Sequence, residues 1–238
     1  HAGARPNQKP TVPLTLVGDV GGGTMMLLWS VMCAFWQAQS SGKGQVIDAA
    51  ITDGSVYASS LLWMIHNSSH SADQVGTSWT DGAAPWNDSY VCSDGHYINI
   101  CALEPKFYGL LLDRLGLTQT GCFEHQWQEQ SWPQARVALS QKFASQTRHY
   151  WCGQLEGTDV CFAPVLNFTE ATQHPHHRAR NNFIKLDGVT QPAPAPKMDH
   201  NQGLLNSVPR AGQDTADVLA QLGISPKRIA QLRQDKVV

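Results

Sequence analysis

The sequence has 238 residues with 17 basic and 19 acidic side chains, which give a formal net charge of −2. This length suffices for one large domain or two small ones, and the composition is that of an ordinary globular protein. The balanced charge excludes a global basic field, so we expect neither a nucleic-acid partner nor an anionic membrane partner.

The sequence from 14 to 41 combines an apolar run, one acid, three glycines and a second apolar run. Residues 14–20 resemble a buried strand that ends near Asp19, and residues 24–39 are predicted to form a helix. The stretch 24–38 is apolar on all sides, which is typical of a helix buried in a large core. It is about 15 residues long, shorter than the roughly 20 needed to cross a bilayer, so we predict no membrane span.

The next segment is predicted to alternate between short regular elements and turns. Glycines and a lysine mark a turn over 40–45, and 45–51 has the pattern of a short strand. A helix is predicted over 53–69, with a polar residue as its cap. Residues 70–88 are rich in turn-forming residues and are predicted to be a loop.

From residue 89 onward the pattern predicts a small α+β domain. Residues 89–103 form two β-rich runs around "SDGH", which is typical of a hairpin. A helix with proline in its first turn is expected over 104–117, followed by helices over 132–146 and 147–157. Strand and loop return over 160–168, and a hairpin with three helices makes a compact unit.

The C-terminal part has an extended stretch and a helical tail. Prolines at 192, 194 and 196 enforce extended backbone. Two short helices separated by "GISP" follow, and they need another body to bury a face.

Asp19 is the leading candidate for chemistry. A carboxylate at a strand end, facing a glycine-rich helix start, is well placed to exchange protons. The alternative is that Asp19 only caps the following helix. Glycines 21–23 match no phosphate-binding loop, and they suit either close approach of a substrate to the backbone or tight packing.

Other polar residues give weaker signals. Glu104 precedes Pro105 at a helix start, where the helix dipole favours a charged acid, and it could equally be an ordinary first-turn residue. The sequence "HPHH" at 174–177 lacks further ligands at diagnostic spacing, so we predict no metal site.

Six cysteines without a CxxC pair predict reduced, mostly buried thiols in a cytosolic-type compartment. Residues 1–13 have no apolar core, and no targeting signal is predicted there.

Several motifs in one order resemble a known family. They are "LVGDVGGGTM" (16–25), "SSGKGQVIDAAITDGS" (40–55), "DGAAPWNDSYVCSDGHYINICALEPKFY" (81–108), "GTDVCFAPVLNF" (157–168) and "PAPAP" (192–196). Together they are similar to the α-methylacyl-CoA racemases of the family III CoA-transferase (CaiB/BaiF) superfamily. The resemblance runs from about residue 10 to 238.

The resemblance implies an isomerase that inverts the centre beside the thioester carbonyl of a 2-methylacyl-CoA. One group removes the α-proton, and a second returns a proton to the other face of the enolate. Asp19 corresponds to one acid/base, and Glu104 to the acid that supports the partner histidine. The implied substrate-contacting residues are Gly21, Gly22, Gly23, Met64, Trp86 and Tyr90. Coenzyme A enters only as part of the substrate, and neither a cofactor nor a metal is implied.

The resemblance also implies a fold and a location. The fold class is α/β: a Rossmann-like large domain with a small α+β domain inserted, in interlocked homodimers. Residues 1–55 and 181–238 would be large-domain segments, 56–88 a linker, and 89–180 the small domain. The expected location is cytoplasmic, or peroxisomal or mitochondrial in a eukaryote.

One expected catalytic group falls outside this sequence. The family's catalytic histidine lies upstream of the matched region, and His1 does not correspond to it. Three hypotheses therefore remain: a racemase completed by an upstream segment, a CoA-transferase with an upstream aspartate nucleophile, or a non-catalytic remnant.

Overall fold

The computed structural model describes residue 9 and residues 15–68, 74–199 and 207–238. The first part of the predicted strand and parts of two predicted loops lie outside these ranges. Within them the chain divides into two compact units, the first ending at Val165 and the second beginning at Leu166. The four-segment division expected from the resemblance stays a prediction.

The N-terminal apolar run forms a π-helix rather than a strand. It covers Leu16–Met25 and continues without interruption into α1, Met26–Ser41. The Val20 amide donates to the Thr15 carbonyl at 3.0 Å, which is the i→i−5 bond of a π-helix. The predicted strand end at Asp19 is therefore wrong, because the apolar residues continue a helical backbone. The helix predicted over 24–39 is confirmed as α1.

The helix α1 is exposed, which contradicts the prediction of a buried core helix. None of its residues is buried, and Trp29 and Trp36 keep 72% and 75% of their surface. The combined helical segment Leu16–Ser41 has 26 residues and is long and apolar enough to cross a membrane. Buried core helices of soluble proteins and signal sequences can have the same length and apolar composition. The length argument against a span fails because the helix begins before Thr24, and the absence of a span stays a prediction.

Two short helices follow α1. Residues 43–50 are irregular, so the predicted strand at 45–51 is wrong. The helices are α2, Ile51–Ala58, and α3, Ser60–His66, with a break at Ser59 inside the predicted 53–69 helix. The π-helix packs on α2 so closely that a Cβ at Gly54 would lie 1.9 Å from the Gly22 carbonyl oxygen. Only glycine at both positions allows the two backbones to meet in this way.

The predicted hairpin is confirmed. Strands β1, Asn87–Val91, and β2, Tyr97–Cys101, pair antiparallel, and β3, Phe162–Pro164, adds to β2. In β2, Ile98 and Ile100 are fully buried while Tyr97 and Cys101 face solvent, as a half-buried strand requires. The turn residue Gly95 has φ +76°, which a side chain would disfavour.

Three helices cover the buried face of this sheet. They are α4, Pro105–Leu115, α5, Trp132–Ala144, and α6, Arg148–Leu155, close to the predicted positions. The largest fully buried side chains come from both strands and helices: Trp86, Ile98, Ile100, Leu111, Leu115, Leu139, Phe143, Leu155 and Val160. Burial of each large apolar side chain contributes about 2 kcal/mol before the entropy of ordering is counted. This core makes the hairpin and its helices one cooperative body.

The second unit contains short helices and one hairpin. Its elements are α7, Phe168–Gln173, α8, Pro175–Ala179, β4, Phe183–Leu186, β5, Val189–Pro192, α9, Thr215–Gln221, and α10, Pro226–Gln234. Asn167 and Glu170 form a reciprocal capping box that starts α7. The two predicted tail helices are confirmed as α9 and α10. The β4–β5 hairpin was not predicted.

The described residues are therefore mixed α/β with two small antiparallel sheets, of three strands and two strands. Within those residues there is no parallel sheet of the kind that a Rossmann-like domain contains. The Rossmann-like large domain and the interlocked dimer both stay predictions.

Candidate active site

Asp19 lies in the π-helix and is exposed to solvent. Its backbone carbonyl accepts a hydrogen bond from the Thr24 hydroxyl at 3.0 Å, which ties together two turns of the helix. Among the described residues, its carboxylate has neither a hydrogen-bond donor nor an ion-pair partner. It is therefore an accessible acid on an unusual stretch of backbone. Helices of the π type are rare and occur frequently at functional sites.

The three glycines after Asp19 lie inside the π-helix. The expected helix start after the glycines does not exist, so these amides are not the free donors of a helix N-terminus. Gly22 is buried, and an added Cβ would meet Ser55 Oγ at 2.4 Å. A Cβ added at Gly23 would lie 3.0 Å from the Ile51 side chain. A Cβ added at Gly21 would lie 3.0 Å from the Leu16 carbonyl oxygen. Packing against α2 accounts for Gly22, and contact of the glycines with substrate stays a prediction.

Glu104 caps the start of α4, as the sequence predicted. Its extended backbone directs its carbonyl toward the Tyr108 amide, which donates at 2.9 Å, and Pro105 follows as the first helical residue. The Glu104 side chain makes no capping hydrogen bond. Its carboxylate lies near two thiols. Partial desolvation first, and then the charge of Glu104, raise the pKa of both Cys101 and Cys161, although Cys101 is exposed at the surface.

The described contacts do not join Asp19 to Glu104. The π-helix packs on α2, whereas Glu104 follows β2 and begins α4. A direct Asp19–Glu104 contact is not required by the expected chemistry, because Glu104 is expected to support a histidine and not Asp19. The role of each acid stays a prediction.

The other predicted substrate contacts lie in different environments. Met64 is 64% exposed on α3, whereas Trp86 and Tyr90 keep only 1% and 3% of their surface in the core of the first unit. The Trp86 indole donates to the Gln126 carbonyl at 3.2 Å, and the Tyr90 hydroxyl donates to the Pro85 carbonyl. Packing and hydrogen bonding account for both aromatic residues without a ligand.

The sequence analysis missed a buried ion pair beside the core. The Arg136 guanidinium pairs with Asp88, whose side chain is 7% exposed, and donates to the Gly82 and Ala83 carbonyls at 2.6 and 2.8 Å. Asp88 and Arg136 are 48 positions apart, so no local spacing could have signalled the pair. Arg136 thereby joins both β1 and the loop before it to α5.

The cysteines only partly match the prediction. All six are free, but only Cys92 is buried, and Cys33 and Cys101 are exposed. In the part of the chain that the structure describes, no three His, Cys, Asp or Glu side chains are grouped so as to hold a metal ion. The His177 ring has edge contacts with the rings of His174 and His176.

The chain belongs to CoA-transferase family III, whose model matches residues 1–215. Two relatives are named α-methylacyl-CoA racemase: the mouse protein is 36% identical over 238 residues and the human protein 34% identical over 237 residues. Each match covers 98% of this chain but only 62% of the relative. The chain therefore spans less than two thirds of the length of these relatives.

A solved structure shares the fold. A CaiB/BaiF family protein from Brucella suis superposes with a TM-score of 0.69 at 21% identity, covering 92% of this chain and 58% of that one. At this level of identity the likeness shows the fold alone. The family resemblance found in the motifs is thus confirmed, while the role of each motif residue is a separate question.

Proposed function

We propose that this protein contributes the aspartate half of an α-methylacyl-CoA racemase. The main support is the 36% identity to the mouse racemase over 98% of this chain. The accessible Asp19 carboxylate on a π-helix is consistent with a group that must meet a substrate. The reaction is proton transfer at the α-carbon of a 2-methylacyl-CoA thioester.

The chemistry requires two acid/base groups on opposite faces of the α-carbon. Asp19 takes the proton from one face, a charged enolate oxygen develops on the thioester, and a histidine on the upstream segment delivers a proton to the other face. Glu104 acts as a positioning residue for that histidine. The proposal assigns no metal and no redox cofactor, and coenzyme A takes part only within the substrate. The protein works as a homodimer.

The test is α-proton exchange in the protein that includes the upstream segment. In D₂O, proton NMR follows loss of the α-proton signal of a 2-methylacyl-CoA. For the enantiomer whose α-proton faces Asp19, Asp19→Asn should slow exchange by about 10²–10⁴-fold, the usual contribution of a positioned acid/base. The matched control is Asp113→Asn, which removes the same charge from an exposed site on α4. Equal exchange rates in the two variants would refute the role of Asp19.

A second candidate function follows from the family description, which names CoA transfer. A transferase moves CoA between two carboxylic acids and uses an upstream aspartate as nucleophile. Mixing an acyl-CoA with a free carboxylic acid separates the two functions: a transferase makes the second thioester, and a racemase exchanges only the α-proton. A remnant does neither, even with the upstream segment present.

A further inference from the structure

The second unit contains a cavity of about 450 Å³ that the proposed function does not use. It lies among α7, α8 and the β4–β5 hairpin. We propose that this cavity binds a small phosphate-bearing anion. The proposal is independent of the racemase reaction, since none of its residues belongs to the candidate active site.

Two cations line the cavity from different elements. Arg178 comes from α8 and Lys185 from β4, and none of the described lining residues is acidic. Neither cation has an ion-pair partner among the described residues. Glu170 accepts the Asn167 amide at 2.9 Å and Asp187 accepts the Val208 amide at 3.1 Å, and neither acid lines the cavity. Two basic side chains and no acidic one therefore line the described wall of the cavity.

Neutral donors complete the lining. Asn181 and Thr190 line the cavity with an amide and a hydroxyl, whereas the Thr172 hydroxyl donates to the Thr169 carbonyl at 2.8 Å and is not a free donor. His177 also lines it, and its Nδ1 lies 3.0 Å from the Asn182 side-chain nitrogen. Because an amide nitrogen can only donate, this contact uses Nδ1 as the acceptor and leaves Nε2 as the ring's donor. The histidine is thereby held as a donor through its second nitrogen.

This donor set favours phosphate over a metal or a carboxylate. Cations repel a metal ion, and phosphate offers three strong acceptor oxygens to a guanidinium, an ammonium and several neutral donors. The volume is in the range typical of small-molecule sites, about 300–1,000 Å³, so the ligand has a body beyond the anion. Phe183 and Ile184 supply an apolar wall for that body. A small phosphomonoester has this combination of properties.

The experiment is a ³¹P NMR titration of the full chain with inorganic phosphate and with phenyl phosphate. The ³¹P signal of each ligand should broaden in a saturable way, and phenyl phosphate should bind more tightly than inorganic phosphate. Arg178→Gln and Lys185→Met should each weaken binding by about tenfold, the loss expected for one charge-assisted contact. The matched control is Arg180→Gln, because Arg180 lies two positions from Arg178 at the end of α8 and does not line the cavity. Circular dichroism checks that each variant remains folded.

Competition then identifies the source of the phosphate. Displacement by coenzyme A but not by dephospho-coenzyme A identifies the 3′-phosphate of the substrate's carrier, and displacement by neither identifies a separate phosphorylated ligand. Both outcomes support the anion site. No saturable broadening, or equal weakening by Arg178→Gln and Arg180→Gln, would overturn it. Because α-proton exchange is measured separately, failure here is distinguishable from failure of the proposed racemase function.

Discussion

Gly54→Ala should strongly destabilise the contact between the π-helix and α2. In an exposed helix this substitution normally stabilises by about 1 kcal/mol, because alanine has the higher helix propensity. At Gly54 the new Cβ would lie 1.9 Å from the Gly22 carbonyl oxygen and 2.7 Å from its carbonyl carbon. Both contacts are with backbone, so neither can be relieved by a side-chain rotation. Overpacking typically costs about 1–3 kcal/mol, and a 1.9 Å clash with backbone belongs at the upper end of this range, so the cost outweighs the gain in propensity.

Amide hydrogen exchange measures this effect locally, because it reports the opening of α2 separately from the rest of the chain. A net loss of about 2 kcal/mol in α2 corresponds to about 30-fold faster exchange of its amides. The matched control is Gly109→Ala in α4, where a built Cβ meets nothing within 4 Å. That variant should slow exchange in α4 or leave it unchanged. Unchanged or slower exchange of α2 amides in Gly54→Ala would refute the close helix crossing.

Three further results are expected. Arg136→Ala should lower the free energy of unfolding by about 2–3 kcal/mol in a urea titration, because the buried Asp88 carboxylate loses its ion pair and keeps the Ser89 amide as a donor. The loss is smaller than for a fully buried pair because Arg136 is partly exposed, and a loss below about 0.5 kcal/mol would contradict the pairing. Iodoacetamide at pH 8 should label the exposed Cys33 well before Cys92, because burial, with the charge of Asp94, raises the pKa of Cys92 to about 11. Equal labelling rates for the two thiols would contradict the burial of Cys92. Burial raises the pKa of Tyr108 from 10.0 to about 12, so the contribution of its neutral hydroxyl to the free energy of unfolding is complete below pH 10 and is lost as pH rises toward 12. Tyr108→Phe should therefore lose stability less steeply with rising pH in this range, and a slope identical to that of the parent protein would contradict the burial of the hydroxyl.

The hairpin domain could be predicted from the sequence because its signals are local. The turn "SDGH" lies between alternating strands, and Pro105 and Gly116 bracket α4 as a first-turn proline and a left-handed C-cap. Each of these residues acts within a few positions of its own element. The same reasoning missed the Asp88–Arg136 pair, because a contact across 48 positions depends on how the finished elements pack.

The N-terminal segment could not be predicted in the same way. Apolar runs of four to eight residues fit a buried strand and a helix equally well, so the strand that the pattern predicts over 14–20 rests on an ambiguous signal. The three glycines at 21–23 favoured a break, since glycine is costly inside a helix. In the structure Gly22 offsets this cost by letting α2 approach the backbone. Gly54, the partner in that contact, gave no signal because its role appears only when both helices are present.

The same contact bears on the proposed chemistry. Asp19 sits one turn before Gly22, and the Thr24 hydroxyl holds the Asp19 carbonyl. The turn that carries the carboxylate is thus fixed by the helix crossing on one side and by a hydrogen bond on the other. Acid/base groups must be held in position relative to the carbon that they serve. Glycine packing and the proposed catalysis are therefore compatible explanations of the same motif: packing at Gly22 and Gly54 fixes the backbone, and Asp19 stays exposed on it, as the proposed reaction requires.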